Sequence, residues 1–138
     1  MIKYLQYFAS PFTIFLAIYF CSKGTYYPTL FFLGFSLLII LGDIYFGKNE
    51  IIYKYKYPKF LNFALYINLP LLFVLVFFVI CIFSTTTPIW IANSLTNYFS
   101  IDIIEIQHSF TFLDKISFIA ITSLYIGAMG TVPGHELT

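Results

Sequence analysis

YLQYFASPFTIFLAIYFCS, residues 4–22, and GTYYPTLFFLGFSLLIILG, residues 24–42, each run for 19 residues without a charge, and only Lys23 stands between them. As a helix, either stretch would be about 28 Å long at 1.5 Å per residue, close to the ~30 Å hydrocarbon thickness of a bilayer. An unpaired backbone amide is costly in lipid, so an apolar run of this length has to satisfy its own hydrogen bonds as a helix. The first run is too long for the apolar part of a typical signal peptide. It reads as a membrane span.

Working outward, residues 60–101 form a third uncharged stretch of 42 residues, broken at Ser84-Thr85-Thr86-Thr87-Pro88. Phe60 to Phe83 is long enough to cross, with Pro70 inside it as a point where the helix could kink. Ile89 to Ile101 is short and carries Asn93, Ser94, Thr96 and Asn97, so an interfacial or re-entrant helix is expected there. A fourth span runs from Ile116 to Gly134, between Lys115 and His135. The expected fold is therefore all-α: an integral membrane bundle of about four transmembrane helices plus an interfacial helix, one membrane domain over residues 1–138.

Composition agrees. Of the 138 residues, 60% are hydrophobic and only 9% charged, against the ~25% that a soluble globule uses to solvate its surface. That excludes a soluble enzyme and a disordered linker. A formal net charge of +1 and the absence of arginine exclude a nucleic-acid binder. Cys21 and Cys81 both lie in apolar runs and read as small buried hydrophobes.

Charge placement sets an orientation. Lys48, Lys54, Lys56 and Lys59 crowd the connection between spans two and three, against Glu50 alone, which makes that loop cytoplasmic by the positive-inside rule. The N-terminus is then inside as well. The segment from Ser84 to Lys115, with Asp102, Glu105 and Asp114, falls outside, and the fourth span returns His135 to the cytoplasm. Tyr53, Tyr55 and Tyr57 on the inner side, and Tyr26, Tyr27, Trp90 and Tyr98 on the outer, fit aromatic belts.

Few residues carry chemistry. His108, in the outer segment, has no clustered partner and reads as a solvated histidine. Asp43 closes the second span in Leu41-Gly42-Asp43-Ile44-Tyr45-Phe46-Gly47. It is either an interfacial carboxylate or an acceptor facing the bundle that orients a ligand. The strongest signal is Gly130-Thr131-Val132-Pro133-Gly134-His135-Glu136-Leu137-Thr138, where small residues permit close helix approach and a histidine appears as the apolar run ends. A neutral imidazole ligates iron or zinc. A second histidine four positions on would share its helical face, and that position follows Thr138, which suggests a piece of a longer protein.

That terminal run, the segment Leu41 to Gly47 with the short polar loop Lys48 to Pro58 after it, and the long span beyond Tyr57-Pro58-Lys59 resemble the N-terminal third of membrane-bound alkane 1-monooxygenases of the AlkB type. These belong to the fatty-acid desaturase/hydroxylase superfamily. The terminal run is similar to the start of the family's first histidine box, His-Glu-Leu-Gly-His-Lys, with Thr138 where many members have glycine. The family's later histidine boxes and its asparagine-tyrosine-glutamate-histidine segment have no counterpart here.

The resemblance implies a bacterial inner-membrane protein with both termini cytoplasmic. It implies two non-haem Fe ions in the full-length enzyme, a rubredoxin-type electron donor, and O₂-dependent hydroxylation of an alkane or related lipid taken from the bilayer. His135 maps onto a metal ligand. Glu136 lies in the box as a supporting group, with no catalytic role assigned. On one histidine, this stretch alone is expected to be inactive.

Three other readings compete. His135-Glu136-Leu137-Thr138 could begin H-E-x-x-H, the zinc-protease signature, in an integral membrane metallopeptidase. Within the superfamily, a desaturase or another lipid hydroxylase is an alternative. A non-enzymatic membrane protein with an incidental His-Glu is the third.

Overall fold

Backbone amides surrounded by apolar side chains must find partners within the chain, and helix is the only regular structure among the described residues. The computed structural model describes residues 2–46 and 58–136. Six helices follow in order: α1 (Ile2–Cys21), α2 (Tyr27–Phe46), α3 (Pro58–Phe83), α4 (Ile89–Phe99), α5 (Ile103–Ser109) and α6 (Phe112–Glu136). The expected all-α class holds. Pro70 lies inside α3, which runs through it as one helix.

Three sets of contacts fix the directions of the long helices. The backbone N–H of Thr25, in the α1–α2 turn, donates to Ser109 Oγ at the end of α5, at 3.0 Å. Gln107 of α5 reaches the last carbonyls of α3. Thr29, in the first turn of α2, bonds Asp114, in the first turn of α6. The end of α1, the start of α2, the end of α3 and the start of α6 therefore meet at one polar end. Helices α1 and α3 run toward it, α2 and α6 away from it. In the turn, Gly24 adopts φ +69°, and a Cβ there would stand 2.7 Å from Ser109 Oγ. Both the backbone and the space require glycine at this position.

The core is shared by α1, α3, α5 and α6: Ile14, Ala17 and Cys21; Leu75, Phe78, Cys81 and Ile82; Ile103 and Ile106; Phe118, Ile121 and Tyr125. Phe118 is fully buried and meets the rings of Phe78 at 5.9 Å and Phe110 at 6.0 Å, both edge-on, the favoured aromatic geometry. Helix α2 joins through rings, Phe31 on Phe20 and Phe35 on Tyr125. Both cysteines are free and buried, as expected of small hydrophobes.

The outer surface is as oily as the core. Leu33, Leu37, Leu38, Ile40 and Ile44 stand exposed along α2, and Phe73, Phe77 and Ile80 along α3. Among the described residues, one helix is long and apolar enough to cross a membrane: Asn62–Phe83 of α3, 22 residues with mean hydropathy 2.8. Helices α5 and α6, bent by 114° at their junction, add a second if counted as one span, while the described apolar parts of α1 and α2, Phe8–Cys21 and Tyr27–Gly42, are shorter.

The segment after the Ser84–Pro88 break forms the short helix expected of it. With 11 residues, α4 is about 16 Å long at 1.5 Å per residue, too short to cross. It leaves Ile89, Trp90, Tyr98 and Phe99 exposed.

Helix α5 differs from the sequence reading, which leaves residues 102–115 as loop. Asp102 accepts from the backbone N–H groups of Ile104 and Glu105, both at 3.1 Å, a side-chain N-cap. Ile103, Ile106 and Phe110 then bury one face against the core. A helix of seven residues is too short to show a periodic pattern by itself.

Phe118→Ala is expected to destabilise the detergent-solubilised chain by about 3–5 kcal/mol, the range for emptying a packed aromatic site. Ile119→Ala, at a half-exposed neighbouring position, should cost far less. Denaturant unfolding followed by circular dichroism separates the two.

Candidate functional site

The three residues singled out from the sequence lie toward the end remote from the polar layer. Asp43 is on the last turns of α2, and His135 and Glu136 on the last turn of α6. The two helices run side by side in the same direction from Thr29–Asp114 through Phe35–Tyr125. The side chains of Asp43, His135 and Glu136 lie outside the described residues, as does the lysine-rich connection 47–57. His108 is exposed on the last turn of α5, at the polar end.

The two histidines thus occupy opposite ends of the chain. No three His, Cys, Asp or Glu side chains among the described residues converge to hold a metal. A two-iron centre needs many convergent donors, and this donor set does not fit one by itself.

What the fold does build is a buried carboxylate. Asp114 is 1% exposed, and it forms a reciprocal cap with Thr111. Its Oδ2 accepts from the Thr111 backbone N–H at 3.0 Å and from the Thr111 hydroxyl at 2.6 Å. Thr111 Oγ1 in turn accepts from the Asp114 backbone N–H at 3.3 Å. This is the capping-box pattern, which satisfies otherwise orphaned donors at a helix start. The other carboxylate oxygen accepts from Thr29 Oγ1 of α2 at 2.5 Å, and Ser117 Oγ stands 3.5 Å from that hydroxyl. Burial raises the Asp114 pKa, but the hydrogen bonds from Thr111 and Thr29 outweigh it and hold the carboxyl below its ordinary value of 3.8.

Beside it, Gln107 closes the end of α3. Its side-chain amide donates to Cys81 O at 2.7 Å, Ser84 O at 3.1 Å and Thr87 Oγ1 at 2.9 Å. It so satisfies carbonyls that the helix end leaves open. Ser109 Oγ donates to Ile106 O and accepts from Thr25 N, tying α5 to the α1–α2 turn. A cavity of about 160 Å³ opens beside this tie, lined by Lys23, Asp102, Glu105, Thr25, Ser100 and Ser109 among others.

The sequence reading placed Asp114 only as one negative charge of an outer segment and gave Gln107 no role. Thr111-Phe112-Leu113-Asp114 carries the Thr-x-x-Asp spacing of a capping box before an apolar run, so that part of the layer had a signal. The reach of Gln107 across 26 residues to Cys81 had none.

No protein-family model, curated protein or solved structure matches the chain.

Because the folded state holds the Asp114 carboxylate more tightly than the unfolded chain does, its contribution is fully present above the ordinary aspartate pKa of 3.8. It is lost as pH falls below that value through the lower folded one. Unfolding of the solubilised chain at neutral pH and at about pH 2 should therefore show a loss of stability in acid. Asp114→Asn should be less stable at neutral pH, by about 1.5–3 kcal/mol for weakened bonds to a charged acceptor, and should lose less on acidification.

Proposed function

We propose that the chain is a four-span membrane platform, the N-terminal part of a membrane-bound non-haem diiron hydroxylase acting on alkanes or related lipids. In this reading α1, α2, α3 and α6 cross the bilayer, α4 lies in the outer interface, and α5 plugs the outer end. The lysine-rich connection and both termini face the cytoplasm.

The observation that carries the reading is the direction of the helices. With α1 and α3 running toward the polar end and α2 and α6 away from it, the start of α1, the connection between α2 and α3, and the end of α6 all belong to the other end. The positive-inside rule assigns that end to the cytoplasm from the lysines. His135 thereby reaches the inner lipid–water boundary, where an oily substrate arriving from the bilayer and a soluble electron donor can meet. The resemblance of Gly130 to Thr138 to the start of a histidine box supplies the class of chemistry. The remaining ligands of the iron pair, and the rubredoxin-type donor, lie outside these 138 residues.

Two measurements test this. Trp90 is the single tryptophan and is largely exposed on α4. In bilayers, lipids brominated near the headgroup should quench its fluorescence strongly and lipids brominated near the chain ends weakly; the reverse order places α4 across the membrane and rejects the topology. For the chemistry, membranes containing the complete product of the reading frame should oxidise an alkane in an iron-dependent manner. His135→Ala should reduce that oxidation to background. Zinc in place of iron, with peptide hydrolysis, rejects the hydroxylase.

A further inference from the structure

We propose that the cavity at the polar end binds the phosphoethanolamine headgroup of a phospholipid, whose acyl chain lies along α1. The proposal rests on the chain being membrane-embedded and is independent of the chemistry assigned to His135.

The cavity lies between the α1–α2 turn and the corner where α4 meets α5. Its wall holds one cation, Lys23, two carboxylates, Asp102 and Glu105, and the hydroxyls of Ser22, Thr25, Ser100 and Ser109, with Ile106 the one apolar member. At about 160 Å³ the cavity has room for more than a single water. That suits a small polar group. Lys23 and the two acids share this wall, yet no ion pair joins them among the described residues. Lys23 is instead placed over the ring of Tyr19, 5.1 Å from its centroid. One carboxylate oxygen of Asp102 is committed to the α5 cap, which holds that side chain at the rim.

A wall with a cation and two anions matches a zwitterion: phosphate on Lys23 and the hydroxyls, ammonium on the carboxylates. The ammonium should be a primary one. A quaternary ammonium has no N–H to donate and is recognised by aromatic cages, and this wall contains no aromatic ring. A bare divalent cation is disfavoured by the lysine and by the few free carboxylate oxygens.

The second observation points to a lipid rather than a soluble zwitterion. Phe12, Phe15, Tyr19 and Lys23 recur at i, i+3, i+7 and i+11, a spacing that sets residues on one side of a helix, though Lys23 lies just past the end of α1. The three ring residues are exposed, at 62%, 58% and 49%. An apolar stripe thus descends from the cavity's only cation into the depth where an acyl chain would lie.

The test uses the full chain in detergent, incubated with equal amounts of phosphatidylethanolamine and phosphatidylcholine carrying identical acyl chains. Lipids that co-purify are then quantified by mass spectrometry. The ethanolamine lipid should be enriched about tenfold, the equivalent of about 1.4 kcal/mol. Glu105→Gln should bring the ratio close to one, Lys23→Met should cut retention of both lipids several-fold, since both carry the phosphate, and Lys115→Gln, outside the cavity wall, should change neither. Circular dichroism confirms that each variant is folded, and Glu105, exposed on α5, can change without disturbing the core. Equal retention of the two lipids by the unaltered chain, enrichment that survives Glu105→Gln, or undiminished retention of both lipids by Lys23→Met overturns the proposal. Displacement of the lipid by an equal concentration of soluble O-phosphoethanolamine also overturns it, since the stripe on α1 would then contribute nothing.

Discussion

A carboxylate buried with no cation beside it among the described residues is the constraint on which the rest of this structure leans. Taking an aspartate out of water is costly unless its lone pairs are met by donors, and Asp114 is met by three, two from Thr111 and one from Thr29. Two of the bonds are local and start α6. The third crosses to α2 and holds the beginnings of the two helices at one level. Hydrophobic packing alone is weakly directional, and with apolar side chains on nearly every face α2 could turn or slide against its neighbours at little cost. A bond to a buried charge has one satisfactory geometry. It is what gives an oily pair of helices a register.

The same logic extends across the polar end. Each long helix ends with carbonyls or begins with amides that have no partner inside the helix, and in a chain this poor in charge water cannot be relied on to cover them. Gln107 covers the end of α3, Asp102 the start of α5, and Asp114 with Thr111 the start of α6. Helix α5 is therefore a structural plug: its apolar side completes the core through Ile103 and Ile106, and its polar side chains close the ends of its neighbours. Among the described residues outside glycine, Thr25 at 48° and Ser100 at 55° adopt positive φ, and both line the cavity beside this plug. The corner is held in shape by the bonds around it.

How much of this could be read from the residues differs by region. The four long helices were legible because charges are so rare that Lys3, Lys23, Asp43, Lys59 and Lys115 mark their limits to within a few residues. Helix α4 was legible as a piece too short and too polar to cross. Helix α5 was not, because seven residues give no periodicity and its apolar side makes sense only against a core assembled from α1, α3 and α6. The polar layer was half legible: the Thr111–Asp114 spacing is a local signal, whereas the bonds from Thr29 to Asp114 and from Gln107 to Cys81 join residues far apart in sequence. At the other end the balance is reversed. His135 and Glu136 stand out by residue type and by resemblance, and the helix directions bring them to the end shared by the lysine-rich connection.

The two ends of the bundle thus do different work. The polar end is held by caps, by cross-helix bonds and by the packed rings of Phe78, Phe110 and Phe118, with the Asp114 bond to Thr29 setting the register. Toward the far end, α1 and α3 are tied by the rings of Phe8 and Phe63 at 6.4 Å and by the hydrogen bond from Ser10 Oγ to Asn68 Oδ1 at 3.3 Å, while α2 and α6 carry small residues there, Gly42 on the one and Gly127 and Ala128 on the other. The register of α2 against α6 is set at the polar end, some 20 Å from Asp43 along α2, counted from Thr29 at 1.5 Å per residue.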